Sequence, residues 1–341
     1  MLLLAPVFFL LSCKDDTVTP VTTSGYENGV LIVNEGPFNT GSGTVLHYDR
    51  TTKTISTDIF ASANGGAKAG NILQSVKNYN GKTYLMVNNA NRVYVVDAKT
   101  FAFKDSIKGM ALPRYFEGVN ATKAYISGWA NGVSVVDLTT NKVTKNIKAG
   151  VGPDRMLLNG SKMWVLNSGA FNQDSTITLI DIATDAVSKT LKAAPSPNSI
   201  VSANGSVWVL CGNYYNKGKG QLLEYRNDAI VNTFDVPNGA SSLAISKDGA
   251  TLYFVANNTV YSKETSKPKT NPDAYILGST LKSKFIGLYS LGFDNQTGNL
   301  FCGDAKNFTS SGKIYVFNAT TKVLQDSISA GIIPTFFSFG N

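Results

Sequence analysis

The sequence predicts an all-β fold, a seven-bladed β-propeller with four-stranded blades, and three observations predict it. A strand with an aromatic or large apolar residue at its centre recurs at intervals of 39 to 53 residues, the spacing of four-stranded propeller blades. Pairs such as Asn80-Gly81 and Asn204-Gly205 precede most copies and supply the positive φ angles of tight hairpins. The sequence has no long segment in which apolar residues recur with the 3.6-residue period of an α-helix. The seven strands are centred on Leu31, Tyr84, Tyr125, Trp164, Trp208, Tyr253 and Phe301.

The N-terminal segment predicts a lipoprotein leader. The apolar run 2–11 is shorter than the roughly 20 residues that cross a bilayer but matches the core of a signal peptide. Ser12 and Cys13 resemble the bacterial lipobox, which implies that Cys13 is diacylated, and two acyl chains anchor a protein stably. No Lys or Arg precedes the apolar run. The alternative is a buried structural cysteine after an apolar strand.

The residues after Cys13 indicate where such a lipoprotein would lie. Lys14-Asp15-Asp16 resembles the surface-export signal of Bacteroidetes lipoproteins, which implies an outer-membrane lipoprotein that faces the cell exterior and contacts the membrane through its lipid anchor only. The expected organisation is a signal peptide over residues 1–12, a lipidated surface-export tether over 13–28 and the propeller over 29–341.

Composition excludes several functional classes. One His and three widely separated Cys argue against Ser-His-Asp triads, Cys-rich zinc modules, disulfide scaffolds and c-type haem. The net charge of +8 comes from scattered lysines without a basic run, which favours an ordinary solvated surface over nucleic-acid binding. We therefore expect no enzyme activity, no catalytic residue, no metal site, no cofactor and no nucleic-acid partner.

Each repeat continues with an apolar strand that ends in an acidic or amide residue before a Thr/Lys-rich turn. An Asp or Asn at this place caps its own turn by accepting backbone N–H bonds, so we expect a structural role for it. The residues are Asp49, Asp97, Asp137, Asp181 and Asn318. We also expect His47 to be a strand histidine and Cys211 and Cys302 to be buried, unbridged thiols.

The ends of the chain predict how the ring closes. Residues 29–341 make 313 residues, about 45 for each of seven blades. The first copy lacks an inner strand before Leu31, whereas the chain ends with an extra one, Thr335–Phe339. Pairing this strand within blade one closes the ring and removes two open sheet edges.

The repeated pattern resembles a known group of propellers. Val93–Asp97 and Val133–Asp137, each followed by a Thr-containing turn, are similar to the YVTN-repeat, YncE-like propellers, and the resemblance covers the whole predicted propeller. Val33–Asn39 resembles the opening of Bacteroidetes surface propellers that include BtuG-type lipoproteins. That resemblance implies binding of cobalamin or another corrinoid and its transfer to a TonB-dependent outer-membrane transporter.

Two sets of loops meet on one face of such a propeller, the loops inside blades and the loops between blades. Aromatic anchors with adaptable amides suit a large, flat, partly polar ligand, and Arg114 and Arg155 at adjacent blade mouths suit a phosphate or carboxylate. The alternatives are local packing for the aromatics and, for the arginines, hydrogen bonds to neighbouring loop carbonyls or pairing with Asp154 or Glu117. The candidate ligand-binding residues are Phe38, Asn39, Lys68, Asn71, Arg114, Tyr115, Trp129, Arg155, Phe171, Asn198, Tyr214, Tyr215, Phe308 and Phe336.

Three functions therefore remain in view. Ligand capture for a transporter is the first. An adhesion or scaffold propeller that binds glycans or proteins is the alternative, and it predicts a flat face without a cleft. A propeller lactonase or lyase would need a carboxylate or His cluster at the channel, where Glu35, Glu117, Asp154 and Asp304 are the obvious acids.

Overall fold

The computed structural model describes residues 25–38, 40–130, 132–278 and 287–340. Within them the chain is almost entirely β-sheet, arranged as seven blades around a central channel, which confirms the predicted fold class. The predicted leader with Cys13, the tether up to residue 24 and the candidate Asn39 lie outside the described residues.

The first four blades contain the following strands. Blade one has β1 (Val30–Asn34), β2 (Thr44–Tyr48) and the last strand of the chain, β27 (Pro334–Phe339). Blade two has β3 (Leu73–Tyr79), β4 (Lys82–Val87), β5 (Arg92–Asp97) and β6 (Phe103–Ile107). Blade three has β7 (Pro113–Asn120), β8 (Lys123–Gly128), β9 (Gly132–Asp137) and β10 (Lys142–Ile147). Blade four has β11 (Pro153–Asn159), β12 (Lys162–Asn167), β13 (Thr176–Asp181) and β14 (Ala186–Lys192).

The other three blades follow the same antiparallel order, from an inner to an outer strand. Blade five has β15 (Pro197–Ala203), β16 (Ser206–Cys211), β17 (Gly220–Arg226) and β18 (Ala229–Val236). Blade six has β19 (Ser241–Ile245), β20 (Thr251–Ala256), β21 (Thr259–Glu264) and β22 (Asp273–Leu277). Blade seven has β23 (Leu288–Asp294), β24 (Asn299–Asp304), β25 (Ser311–Asn318) and β26 (Leu324–Ile332).

Blade one joins the two ends of the propeller. β27 pairs with β1 in antiparallel register, with Phe337 opposite Ile32. The inner strands lie side by side in the order β3, β7, β11, β15, β19, β23 and β27, and β27 also contacts β3. The seven inner strands thus form a continuous wall around the channel.

The second strand of each blade is apolar almost throughout because both of its faces are covered. In β4, Tyr84 and Met86 pack towards blade three, whereas Leu85 and Val87 pack towards blade one. This alternation follows from the period of two along a strand. The described residues contain seven such hydrophobic clusters, one for each pair of neighbouring blades.

Blade one departs from the predicted four strands. Only an isolated bridge, Tyr48 to Ile55, stands where its outer strand was expected, and a short helix follows it, α1 (Ile59–Ala63). Asp58 caps this helix by accepting a hydrogen bond from the Phe60 amide and accepts another from the Val45 amide. Ile59 and Phe60 are buried between blades one and two, so this helical turn provides the apolar cover that an outer strand would otherwise give.

At one end of the blades, the turn after the third strand is capped by its own Asp or Asn side chain, as predicted. Asp97 Oδ1 accepts hydrogen bonds from the Lys99 and Thr100 amides, both at 3.0 Å, and Asn318 does the same for Thr320 and Thr321. The expected Asn-Gly hairpins also form, with φ of 49° at Asn80 and 71° at Gly81. We call this side of the propeller the turn face and the opposite side the loop face.

Candidate functional site

The inner strands are irregular where they begin, at the loop face. In β7, Pro113 pairs with Gly128 but Phe116 pairs with Ile126, so one extra residue is inserted between them. A one-residue insertion of this kind is a β-bulge, which bends the strand and re-aims its side chains. The same shift occurs at the start of β3, β11, β15, β19, β23 and β27.

These bulged strand starts surround a cavity of about 430 Å³ at the mouth of the channel. Its volume lies in the usual range for small-molecule sites. The lining includes residues that the bulges insert, namely Gln74, Arg114, Tyr115, Asp154, Arg155, Asn198, Ser242, Tyr289 and Thr335. Trp129, Tyr214 and Tyr215 reach the cavity from loops inside blades three and five.

Arg114 is held from several sides. Its Nε lies 3.2 Å from Asp154 Oδ2, its guanidinium stacks on the Trp129 ring at 3.9 Å, and Nη1 donates to Gln74 Oε1. Trp129 Nε1 donates to the same Asp154 oxygen at 2.9 Å. Burial alone would lower the pKa of Arg114, but the charge of Asp154 raises it above its usual value. Arg114 is therefore a neutralised, fixed part of the cavity wall.

Arg155 has a different environment. Its guanidinium lies 4.6 Å from the centre of the Tyr115 ring and 5.2 Å from that of Phe336. Tyr115 and Arg155 also line a smaller chamber of about 170 Å³ deeper in the channel, which Phe336 lines as well. These three side chains form the floor of the cavity.

The part of the cavity wall formed by blades five and six is polar and uncharged. Asn198 Nδ2 and Tyr214 Oη both donate to the Ala240 carbonyl, at 2.9 and 3.3 Å. Burial raises the pKa of the Tyr214 hydroxyl above its usual value, so this group is neutral at physiological pH. Its oxygen and the neighbouring serines Ser199 and Ser241 can exchange hydrogen bonds with a ligand.

Glu35 lies beside this polar wall. Tyr289 Oη donates to Glu35 Oε1 at 3.3 Å. Burial raises the pKa of Glu35, and hydrogen bonds with Thr335 and Tyr289 and the charge of Arg114 oppose that shift only in part. The structure therefore places an acid with a raised pKa next to the cavity.

Exposed aromatic rings stand around the cavity mouth. Phe171 is 75% exposed and packs edge-on against Trp129. Phe308 is 45% exposed and packs edge-on against Tyr289. Each has one ring neighbour inside the cavity wall and leaves much of its own surface to solvent.

Comparison with known proteins gives the family. The profile of a family described as "Domain of unknown function (DUF5074)" matches residues 28–336. The chain belongs to this DUF5074 family. No curated protein matches it.

Solved structures similar to this DUF5074 protein show the fold alone. A quinonprotein alcohol dehydrogenase-like protein from Bacteroides thetaiotaomicron has a TM-score of 0.70 and 17% identity over 93% of this chain and 79% of its own. The Kuenenia stuttgartiensis hydrazine synthase has a TM-score of 0.64 and 14% identity, over 75% of this chain and 85% of its own. At these identities, the activities of the two proteins say nothing about this one.

The structure separates the predicted site residues of the DUF5074 chain into groups. Seven line the cavity: Arg114, Tyr115, Trp129, Arg155, Asn198, Tyr214 and Tyr215. Phe336 lies in the floor, and Phe171 and Phe308 stand at the mouth. Phe38 is exposed on the loop between β1 and β2 and does not line the cavity.

Lys68 and Asn71 also stand apart from the cavity. Lys68 is exposed, and the Asn71 side chain donates to the Pro37 carbonyl and accepts from Asn89, at 2.5 and 3.2 Å. These bonds attach the connection from blade one to blade two to the neighbouring loops. Neither residue lines the cavity, and a role for them in ligand binding stays a prediction.

Sequence reasoning did not single out three wall residues, Gln74, Tyr289 and Thr335. Each is the extra residue of a bulge. The proline that precedes the candidate residue in β7, β11 and β15 is missing before Gln74 and Tyr289.

The remaining acidic, cysteine and histidine side chains lie outside the cavity or within its scaffold. Among the described residues, no group of three or more His, Cys, Asp and Glu side chains is placed to hold a metal ion. Cys211 and Cys302 are free and buried, and His47 is buried in β2, as expected. Glu117 pairs with Lys77 at 3.1 Å, and Asp304 binds the Gly287 and Lys306 amides. None of the helices described is both long and apolar enough to span a bilayer.

Proposed function

We propose that this protein is a ligand-capture propeller that binds its ligand in the loop-face cavity without chemical conversion. The observation that carries the proposal is the cavity itself, about 430 Å³ in volume and lined by aromatic rings, amides, hydroxyls and two guanidiniums. Such a mixture holds an organic molecule by stacking and by a few oriented hydrogen bonds.

The first candidate ligand is cobalamin or a related corrinoid, by the resemblance of the repeats and of the first blade to surface propellers that bind it. A whole corrinoid is larger than the cavity. One edge of it would enter, while its macrocycle would lie on the exposed rings of Phe171, Tyr215 and Phe308. Large contact area on rings that are already in place favours tight binding, because little ordering is needed.

The same proposal includes a location and a partner. The lipobox and the acidic residues after Cys13 support a lipid-anchored protein on the outer face of the outer membrane. A capture protein there would deliver its ligand to a TonB-dependent transporter. Labelling of intact cells with a membrane-impermeant reagent tests the first part, and co-purification with a transporter tests the second.

The alternative is an adhesion propeller that binds glycans or proteins. The observation that favours it is the set of exposed aromatic rings, which extends beyond the cavity mouth. Phe38, 67% exposed, lies outside the cavity and would contact a larger partner. A glycan array and a pull-down from cell extracts test this alternative if corrinoids do not bind.

The direct test of capture is a calorimetric titration of the purified protein with cyanocobalamin, followed in parallel by the visible absorbance of the ligand. We expect saturable one-to-one binding. Trp129→Ala should weaken it by tenfold or more, because a stacking ring and its support of Arg114 are lost together. Phe103→Ala, which removes an exposed ring from the outer strand of blade two, is the control and should bind normally. Absence of binding at high micromolar ligand would refute the corrinoid proposal.

A further inference from the structure

The two guanidiniums of the cavity differ in their hydrogen-bond and ion-pair partners. Arg114 has a carboxylate, an amide oxygen and an indole ring as neighbours. The neighbours of the Arg155 guanidinium are two aromatic rings. No hydrogen bond or ion pair joins its side chain to any residue in the described ranges. An unpaired guanidinium at the floor of a cavity is unusual, because a partly buried charge normally has a partner.

The stacking of Arg155 determines which of its groups remain available. A guanidinium is planar and carries its five N–H donors around its edge. Tyr115 and Phe336 lie beside it, with their ring centres 6.0 Å from each other, and neither ring offers an oxygen acceptor to these donors. The N–H donors of Arg155 are therefore available to a planar or tetrahedral oxyanion, which can be bound through two parallel hydrogen bonds.

The acids near the cavity do not cancel this charge. Asp154 already accepts hydrogen bonds from Arg114, Trp129 and Ser168. Glu35 accepts a hydrogen bond from Tyr289, and no ion pair joins it to Arg155 within the described residues. Arg114 is paired with Asp154, so Arg155 is the guanidinium of the cavity that has no carboxylate partner among the described residues.

We propose that Arg155 is the anion-selecting residue of this site, and that the natural ligand places one carboxylate or phosphate-type oxyanion against the edge of its guanidinium. Arg114 takes no direct part, since its charge is already used within the wall. The inference rests on the proposal that the cavity binds a ligand, but it does not depend on that ligand being a corrinoid. The expected ligand class is a flat organic molecule with one anionic group.

The test uses two probes that differ by one charge. 8-Anilinonaphthalene-1-sulfonate and N-phenyl-1-naphthylamine share the same aromatic skeleton, and only the first carries an oxyanion. Fluorescence titrations of the purified protein should show saturable binding of both, with the sulfonate at least about tenfold tighter, as expected for hydrogen bonds to a charged group. Arg155→Met should remove this preference and leave the affinity for the neutral probe within about twofold.

Matched variants separate charge from packing. Arg155→Lys keeps the charge and should retain part of the preference, whereas a purely structural role as a cavity floor predicts no difference between Met and Lys. Arg92→Met is the control, because Arg92 also stacks on a tyrosine, Tyr94, but lies outside the cavity. Equal affinity of the wild-type protein for the two probes, a preference that persists in Arg155→Met, or no saturable binding of either probe would overturn the inference. A retained preference together with no cyanocobalamin binding would refute the corrinoid alone.

Discussion

The two faces of this propeller satisfy their polar groups in opposite ways. On the turn face, Asp97, Asp181 and Asn318 bind the amides of the turns that they begin. On the loop face, each inner strand begins with a bulge, and side chains from different blades meet around a cavity. The bonds that cap these turns are local in sequence, whereas Arg114 and Asp154 join two blades from positions 40 residues apart.

This difference is the reason why we propose the loop face as the binding face. A turn that closes on itself has few donors or acceptors left for a ligand. The loop-face cavity, in contrast, offers a ligand the N–H donors of Arg155 and several exposed aromatic rings. Loops on a rigid scaffold commonly carry binding sites for this reason.

The largest effect should come from breaking the charge pair of the loop face. Asp154→Asn removes the carboxylate beside Arg114, whose side chain is only 14% exposed, and leaves an uncompensated charge in the wall. We expect a loss of about 3 kcal/mol in the free energy of unfolding, the scale for removing one partner of a buried pair. Urea denaturation measures it.

A charge pair of the turn face provides the control for that loss. Asp228→Asn breaks the pair with Lys162, in which the lysine side chain is 37% and the aspartate side chain 18% exposed, and we expect a smaller loss because a more exposed ion pair contributes less. Equal losses in the two variants would contradict the view that the loop-face pair is a fixed part of the cavity wall.

A smaller effect is expected when a turn of the turn face loses its cap. Asp97→Ala removes the acceptor for the Lys99 and Thr100 amides and should lower the melting temperature by a few degrees. Asp97→Asn should stay close to the wild-type value at neutral pH, because Asn318 already performs this role in blade seven. Calorimetry distinguishes the two variants, and an equal loss in both would mean that the charge, rather than the hydrogen bonds, closes the turn.

The same pair of faces should respond to pH with opposite signs. The backbone amide of Thr100 and the other turn donors lower the pKa of Asp97, so its stabilising contribution is present above the unfolded value of 3.8 and is lost as pH falls through the folded pKa. Burial raises the pKa of Glu35, so the folded state binds its proton more tightly, and the free energy of unfolding falls as pH rises from 4.5 through the folded pKa.

Glu35→Gln tests the second sign. This variant should lose its share of the fall in stability above pH 4.5, whereas Asp97→Asn should change the profile only in the acidic range below 3.8. Urea denaturation at pH values from 3 to 8 measures both. A Glu35→Gln profile parallel to that of the wild type would show that Glu35 is not desolvated beside the cavity.

The fold was predictable because its determinants are local and repeated. The central strand of each blade is apolar since neighbouring blades cover both faces, and Asn80-Gly81 and Asp97 specify their turns from a few adjacent residues. Blade one was predicted less well. Its outer region folds as α1 around Asp58, and a single five-residue helix leaves no periodic signal in the sequence.

The site was predictable in composition but not in geometry. Arg114 and Arg155 both emerged as candidates, yet their different roles depend on a bulge in each inner strand. One inserted residue reverses which side chains face the channel, and no short sequence pattern marks it. Tyr289 and Thr335 were missed for the same reason, and Asn71 lies apart from the cavity, where it donates to the Pro37 carbonyl in a neighbouring loop.

The central claim is that ligand binds at the loop face and not at the turn face. Amide hydrogen exchange of the whole protein, with and without saturating cyanocobalamin, tests it most directly, since peptides report each face separately. We predict slower exchange at the strand starts around Arg114, Arg155 and Asn198, and unchanged exchange at the turns around Asn80 and Asp181. Protection confined to the turns, or no protection anywhere, would contradict this account.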